Sequence, residues 1–533
     1  MRRERWLAWV LAACFGAIYL CTLPVNRSEA EDAYMYAYDV ETKSIQDLLH
    51  PHHLLYGPIA KSIYDVSREI GLAERALPVL VGLSLFSGIC ALALFSLLLG
   101  RYGGIGQSTA LPLSACLGAS YGFWRYSVEA EIYLPVTAIT LAACVCLAPG
   151  RRSTITVIGG LVLAALAPVT HILALLPVGI ALPLCLLRYG HSRRAMATFA
   201  SVVGVAFLVY LGVAFSGNLN FGFGVALTGA TVGSSSVGTR LLHGLVAFGQ
   251  TLVSGNFLFG WPIFSEWIHS RFPSRMFAEE DWLGGCMSRM DLLAAWGSLV
   301  VLCLVALGVA IRACFSRIRD ARGADPSEAA HTRAPLLFLA TVWLAAHALL
   351  LFVVDPGNPE NWIMVAPAAF LLIGASVPRD YGRPLWALAL ALAVHNYTGG
   401  LRLLQDADGD YNQMKADWLI EKVETGDYVV TAGGPVFERY LRYHTREHVE
   451  PIYRDPDRLR DEIAATISSG ERVWMTGDVL EDLPSHRREA PLVMRDISTN
   501  REWLRARCVI VRKDGFGGVY QVVEHIEAER GAR

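Results

Sequence analysis

Apolar residues in this chain gather into runs about as long as a bilayer is thick. A helix crosses the hydrocarbon layer with about 20 predominantly apolar residues. Runs approaching that size occupy positions 6–23, 76–99, 108–123, 132–147, 155–169, 172–187, 195–215, 292–309, 334–354, 362–375 and 385–397. The pattern predicts about eleven transmembrane helices. After position 400 the runs stop and charged, mixed sequence takes over. Short runs at 427–432, 449–453, 472–476 and 508–512 read as strands, alternating with helix-like stretches at 435–443 and 455–468. Residues 513–520, with Asp514-Gly515 and Gly517-Gly518, read as a hairpin. The expected architecture is a mainly α polytopic membrane domain, 1–400, followed by a small α/β soluble domain, 401–533.

Composition agrees with a bilayer as the main solvent. The chain is 53% hydrophobic and 18% charged, with a mean hydropathy of +0.38, too apolar for an ordinary soluble chain of this length. A formal charge of −2 gives no electrostatic reason to expect a nucleic-acid partner. Of the eleven cysteines, Cys14, Cys21, Cys90, Cys116, Cys144, Cys146, Cys185, Cys303 and Cys314 lie in or beside apolar runs and read as small membrane-core residues. Cys286 and Cys508 alone fall in segments expected to be aqueous, where a bridge is the less favoured option.

Charge in the short loops sets the orientation. Counting from a cytoplasmic N-terminus, the inside loops hold Arg101, Arg151 and Arg152, the arginines of 188–194 and 312–333, and Arg379 with Arg383. The alternate segments, 124–131, 170–171 and 355–361, hold one arginine and several acids or neutral polar residues. This is the positive-inside bias. Segments 24–75 and 216–291, and the tail, then lie outside. The basic lead Arg2, Arg3 and Arg5 also suits a signal peptide, but no small-residue cleavage site is clear before Asn26, so a retained helix is expected.

Polar groups concentrate on that outer side. The first outside segment opens with Glu29-Ala-Glu31-Asp32-Ala-Tyr34-Met-Tyr36-Ala-Tyr38-Asp39. A carboxylate there suits a general base or a cation ligand, and the alternative is a solvated acidic loop with interfacial tyrosines. His50-Pro-His-His53-Leu-Leu-Tyr56 follows, ahead of an amphipathic stretch at 59–70 expected along the membrane surface. Its spacing lacks the i, i+4 histidine pair of a helical zinc site, so it reads as a loop that orients substrate. Tyr121-Gly-Phe-Trp124-Arg125-Tyr126-Ser-Val-Glu129-Ala-Glu131-Ile-Tyr133 offers a guanidinium for phosphate and carboxylates for a metal or sugar hydroxyls, against an aromatic belt with water-facing charges. His171 sits between two apolar runs, where a packed, hydrogen-bonded histidine is the plain reading. Glu360, Asn361 and Trp362 stand at another outer helix mouth. In the tail, Thr431-Ala-Gly-Gly-Pro435 is either a phosphate-binding turn or an ordinary strand-to-helix turn, the latter favoured because nucleotide-loop spacing is absent.

Over roughly its first 400 residues the chain resembles the GT-C superfamily of membrane glycosyltransferases, which use polyprenyl-phosphate-linked sugars; protein O-mannosyltransferases, aminoarabinose transferases of lipid A and oligosaccharyltransferases belong to it. The residues that carry the resemblance are the acidic first outside segment, the His-Pro-like segment before a surface helix, Phe123-Trp124-Arg125 with Glu129-Ala-Glu131-Ile-Tyr133, His171, and Asn358-Pro-Glu-Asn-Trp362. The bacterial and animal O-mannosyltransferase-like branch is the nearest likeness. The resemblance implies a GT-C-like fold with Asp32 as the catalytic carboxylate and Glu31 beside it, although the order here is Glu-Asp with no following Gly-Glu. It implies that Arg125 and His171 meet donor phosphate. Substrate contacts are expected from His53, Tyr56, Lys61, Trp124, Arg125, Glu129, Glu131, Tyr133, His171, Glu360 and Asn361, and a divalent ion, Mg²⁺ or Mn²⁺, from Asp32 and Glu129.

The expected activity is inverting transfer of a hexosyl or pentosyl group from a polyprenyl-phosphate donor to a hydroxyl of a glycan, lipid or protein, at the extracytoplasmic face of the inner (plasma) membrane. Arg125, Lys61, Arg240 or a metal would supply positive charge at the leaving phosphate. The alternatives are a lipid or solute transporter, for which mid-membrane polar groups and internal repeats are missing from the sequence, and a non-catalytic scaffold.

Overall fold

The computed structural model describes residues 2–27, 31–50, 52–150, 152–215, 237–272, 277–323, 327–378, 381–452, 455–481 and 497–523. The chain resolves into two compact units. The first is Met1–Leu23, Asp39–Gly255 and Met290–Arg402; the second is Pro24–Tyr38, Asn256–Arg289 and Leu403–Arg533.

The first unit is built of helices, and every apolar run named above falls on helical backbone. Four described segments, Ala76–Gly103, Ser192–Val213, Arg289–Phe315 and Arg333–Val354, are long and apolar enough to cross a membrane, and shorter apolar helices accompany them. The chain is a multi-pass membrane protein. Helix Ala76–Gly103 is a central element of this unit, packed against Arg2–Cys21, Gln107–Ala119, Tyr133–Leu147 and Ser327–Val354 among others. Its buried positions include Ser84, Ser87, Gly88, Ala91 and Ser96; without a hydrophobic force between helices in lipid, such small residues let backbones approach closely. A side chain at Gly88 would meet the Ser127 hydroxyl at 2.4 Å. The helix stops at Gly104, whose φ of 54° is the left-handed cap glycine tolerates. The run at 172–187 is irregular, a 3₁₀ turn and a π segment, Leu175–Ala181, leading into helix Leu182–Arg188, with Pro177 and Pro183 inside the stretch.

Two segments expected as outside loops are more ordered than that. Within 24–75 lie helices Glu31–Thr42 and Tyr56–Glu69. The acidic motif is therefore helical, because Ala33 and Ala37, both fully buried, give a helix-favouring small-residue face four residues apart. Helix Tyr56–Glu69 buries Tyr56, Ala60, Tyr64 and Ser67 and exposes Ile59, Ile63, Val66 and Ile70, an apolar face suited to lipid. Within 216–291 the described residues form helices Val237–Leu252, Pro262–Arg271 and Ala278–Cys286; 216–236 and 273–276 lie outside the described residues. Helix Val237–Leu252 packs into the first unit through its small positions: a side chain at Gly244 would strike Phe352, and Thr251 abuts Gly122.

The second unit carries a five-stranded sheet of order β2-β1-β3-β5-β4, with β1 Tyr428–Thr431, β2 His448–Pro451, β3 Val473–Met475, β4 Cys508–Asp514 and β5 Gly517–Val522. The first three strands are parallel, and β5 runs antiparallel to both β3 and β4. Helices Gly434–Thr445 and Pro456–Ser468 make the crossovers, and Val430, Ile452, Leu459, Ile463, Val473 and Met475 form the core. The chain leaves β1 for β2 on one side and later places β3 on the other, so a topological switch point lies between β1 and β3, the usual crevice for ligands in open parallel sheets. Here it is filled from within. Lys415 and Asp478, both under 5% exposed, form an ion pair there; the Asp478 carboxylate also accepts from the Ala432 amide at 3.0 Å and from Thr476. A side chain at Gly433 would lie 2.6 Å from the Lys415 ammonium. Thr431-Ala-Gly-Gly-Pro435 is thus a strand-to-helix turn whose glycine makes room for a lysine, and the phosphate-binding alternative lapses.

Burial pushes the Asp478 carboxyl upward, but Lys415 and the hydrogen bonds outweigh it, leaving the carboxyl below its usual value. Burial likewise lowers the Lys415 ammonium, but Asp478 outweighs it and the net shift is upward. The pair's contribution is therefore full between the two unfolded values, about 4 and 10. It is lost as pH falls through the depressed carboxyl value or rises through the elevated ammonium value. Asp478→Ala, which leaves a buried unpaired ammonium, should cost about 3–5 kcal/mol, read as a lowered denaturation midpoint of the full chain in detergent at pH 7. Lys415→Met combined with Asp478→Leu should restore most of that loss; an unchanged midpoint in the single variant would contradict the reading.

Candidate functional site

The segment between helices Gln107–Ala119 and Tyr133–Leu147 carries the polar groups of the first unit. Ser120 is extended, helix Tyr121–Ser127 follows for two turns, and Val128 ends it. This short helix places Arg125 and Glu129 one turn apart, so the guanidinium reaches the carboxylate at 2.8 Å. Both side chains are at least 95% buried. Taking two such ions out of water costs several kcal/mol each, regained only where further hydrogen bonds complete the pair. The second Glu129 oxygen accepts from the Ala130 amide at 3.2 Å. Glu131, 1% exposed, is fixed through its backbone: its amide donates to the Ser84 hydroxyl, which donates back to the Glu131 carbonyl.

Three other motif segments join this one. The Tyr126 phenol donates to Glu360 at 3.3 Å and the Tyr133 phenol to Asn361 at 3.2 Å. Glu360 and Asn361 stand in the short helix Pro359–Ile363, capped by the Asn358 side chain. The Tyr133 ring lies 5.4 Å from that of His171, which ends helix Thr154–Thr170 and caps the following turn by accepting from the Leu173 amide. The histidine loop is tied to the same break by backbone hydrogen bonds, from the Ile172 amide to the His52 carbonyl and from the Leu55 amide to the Val169 carbonyl. His53 stacks on His50 at 4.2 Å, with the buried Tyr56 edge-on at 6.3 Å. Burial, then the neighbouring charges of His50, His171 and His52, hold the His53 imidazole well below its ordinary pKa.

The remaining expected site residues have the following partners. Trp124 spends its indole N–H on the Thr22 hydroxyl at 2.9 Å and packs near Tyr19 and Tyr397, as an anchor for helix Arg2–Cys21. Lys61 donates to the Val40 carbonyl and pairs with Asp65. Asp32 belongs to the second unit. There it forms an ion pair with Arg439 at 2.6 Å and accepts from the Tyr36 phenol at 3.3 Å, both ionic partners about a quarter exposed. Glu29 and the side chain of Glu31 lie outside the described residues.

Sequence reasoning missed three residues. Tyr126 lay inside a quoted motif, and its phenol was the available signal. Arg439 pairs across 407 positions, for which no local pattern exists. His347, fully buried on helix Ser327–Val354 with one ring nitrogen near the Trp343 carbonyl, was hidden in an apolar run. The arrangement in the first unit is a guanidinium, carboxylates, phenols and imidazoles drawn from four segments into an apolar helical body. Such a set is equipped to hold a polyhydroxylated, anionic molecule.

No family model matches the chain, and no curated protein does. Among solved structures it is similar to ArnT from Cupriavidus metallidurans bound to undecaprenyl phosphate, at 11% identity over 97% of this chain and 98% of that one, TM-score 0.49. It is similar to the same protein in the apo state, at 13% identity over 98% of each chain, TM-score 0.43. It is also similar to the oligosaccharyltransferase of Archaeoglobus fulgidus in the apo form, at 11% identity over 88% of this chain and 69% of that one, TM-score 0.45.

A base whose folded pKa is depressed takes up its proton later than in the unfolded chain. The stability that neutral His53 contributes is therefore full above about pH 6.5 and falls as pH drops below it. His53→Gln should flatten the decline of unfolding temperature between pH 7 and 5; identical slopes in the two proteins would contradict this.

Proposed function

We propose that the chain is a membrane glycosyltransferase that moves a sugar from a polyprenyl-phosphate donor to an acceptor hydroxyl on the extracytoplasmic face. The observation that carries this reading is the buried polar cluster around Arg125, Glu129, Glu131, Tyr133 and His171. Ionised and polar groups are expensive in an apolar membrane body and mark sites of function by default. A guanidinium suits a phosphate leaving group, while carboxylates and phenols suit sugar hydroxyls. A lipid-linked donor fits an outward site, where nucleotide sugars are absent.

In the proposed step the acceptor oxygen attacks the anomeric carbon as its proton passes to a carboxylate general base, the role the family resemblance implies for Asp32. The bond from that carbon to the phosphate oxygen breaks with inversion, and polyprenyl phosphate departs with the electron pair. Among the described residues, Arg439 ties one Asp32 oxygen and the Tyr36 phenol makes a long bond to the other, whose second lone pair suits an acceptor hydroxyl. Arg125 balances charge gathering on the departing phosphate, and Glu360 and Asn361 orient the sugar through the phenols of Tyr126 and Tyr133. The expected Mg²⁺ or Mn²⁺ fits these residues poorly. Glu129 is engaged by a guanidinium and an amide and Asp32 by a guanidinium and a phenol, donors that compete with a cation for the same oxygens.

Membranes carrying the protein, supplied with a panel of polyprenyl-phosphate sugars with and without chelator, should transfer one of them in both conditions. Asp32→Asn should lower that transfer by about 100-fold or more with expression and insertion unchanged. Full activity in that variant would remove Asp32 from the role of base, and no transfer from any donor would defeat the proposal.

A further inference from the structure

Helix Ser327–Val354 carries two buried polar side chains that the proposed transfer does not use. His347 and Trp343 are both fully buried and stand one turn apart on one face of the helix, their rings 6.4 Å from each other. Among the described residues, the His347 Nε2 and the Trp343 indole nitrogen have no hydrogen-bond partner. Buried polar atoms are nearly always paired, because leaving one bare forfeits its solvation. In an apolar membrane body such groups mark places where something polar is received.

The position of His347 says where that place is. The residue lies about two turns before the helix ends at Val354, and the helix packs along Leu175–Ala181, which follows closely on His171. His347 is near enough to His171 for the two imidazoles to interact electrostatically. His171 in turn lies against Tyr133, whose phenol reaches Asn361. The unpaired nitrogen therefore borders the polar cluster of the first unit.

The partners of the two rings fix where their hydrogens are. The His171 Nδ1 accepts from the Leu173 amide at 3.3 Å, so the hydrogen of the neutral ring is on Nε2, which makes no hydrogen bond among the described residues. The His347 Nδ1 lies 3.3 Å from the Trp343 carbonyl oxygen, which can only accept. Its hydrogen is therefore on Nδ1, and Nε2 is a bare lone pair. One imidazole offers a donor and the other an acceptor. A phosphate oxygen suits the first alone, whereas a hydroxyl, which accepts and donates at once, suits both.

We infer that His347 and His171 together bind one hydroxyl of the transferred sugar, His347 Nε2 accepting its hydrogen and His171 Nε2 donating to its oxygen. This deepens the proposed glycosyl transfer and rests on it. His347 is then a specificity-determining residue, because a sugar lacking that hydroxyl leaves both imidazoles unpaired.

The test uses the purified full chain in detergent with polyprenyl-phosphate mannose, glucose and arabinose, and the single-deoxy analogues of each. For the donor transferred fastest, deleting one particular hydroxyl should lower kcat/KM of the wild type by about ten-fold or more. In His347→Phe the parent donor should lose about as much, and the same deletion should then cost less than about two-fold further. A variant that is slower with the parent donor yet keeps every deoxy penalty has lost only framework, which would overturn the inference. So would a wild type in which no single deletion matters. If circular dichroism shows His347→Phe to be unfolded, His347→Leu decides alone by the same criterion. Failure of the wild type to transfer from any donor is a separate result: it defeats the glycosyltransferase reading itself, and this inference with it.

Discussion

The ion pair of Arg125 with Glu129 is the constraint around which the first unit is organised. Neither ion has appreciable access to water, so each must find its solvation in the protein. That requirement explains local features which otherwise look unrelated. A short helix between two longer ones puts the pair one turn apart, the Ala130 amide completes the carboxylate, and Ser84 on the central helix clamps the next residue by two hydrogen bonds. Glycines let the scaffold close around this short helix, Gly88 against Ser127 and Gly122 against Thr251. A pair of this kind is weak evidence of stability, because apolar residues of similar volume often do as well or better. Its presence in a membrane body is better explained by what the groups do there.

The second unit applies the same physics to a different end. Its switch-point crevice holds a lysine and an aspartate from the chain itself, with the ammonium 3.9 Å from the centre of the Phe437 ring and within the same reach of a glycine turn. The place where an open parallel sheet usually receives a ligand is thereby closed, and the fold is used as a scaffold. The unit also holds Asp32 paired with Arg439 and Tyr34 packed against Tyr440, Tyr443 and His444.

Much of this was legible in the sequence wherever the signal was local. Bilayer-length apolarity is a property of each run taken alone, and helices occupy all of them. Strands lie within or against the alternating runs of the tail, and the hairpin turns at Asp514–Gly517. The polar motifs at 50–56, 121–133, 171 and 360–361 were recognisable because charged and aromatic groups at apolar boundaries stand out, and the first unit connects them. Non-local features were not legible. Nothing near Asp32 announces Arg439, nothing near Thr431 announces that Lys415 fills the turn, and Trp124, conspicuous in its motif, serves to hold Thr22. The helix Glu31–Thr42 was obscured because its acids and tyrosines drew attention from the two alanines that bury it.

On this reading the buried pair of Arg125 and Glu129 serves binding and transfer and is not merely part of the framework. Replacing both partners together, Arg125→Met with Glu129→Leu, separates these roles, since the double variant leaves no unpaired ion behind. The measurement is polyprenyl-phosphate-dependent sugar transfer by that variant, alongside its unfolding temperature in detergent. The expected protein is as stable as the wild type, or more so, with transfer lost. Transfer at the wild-type rate in a stably folded double variant would contradict it.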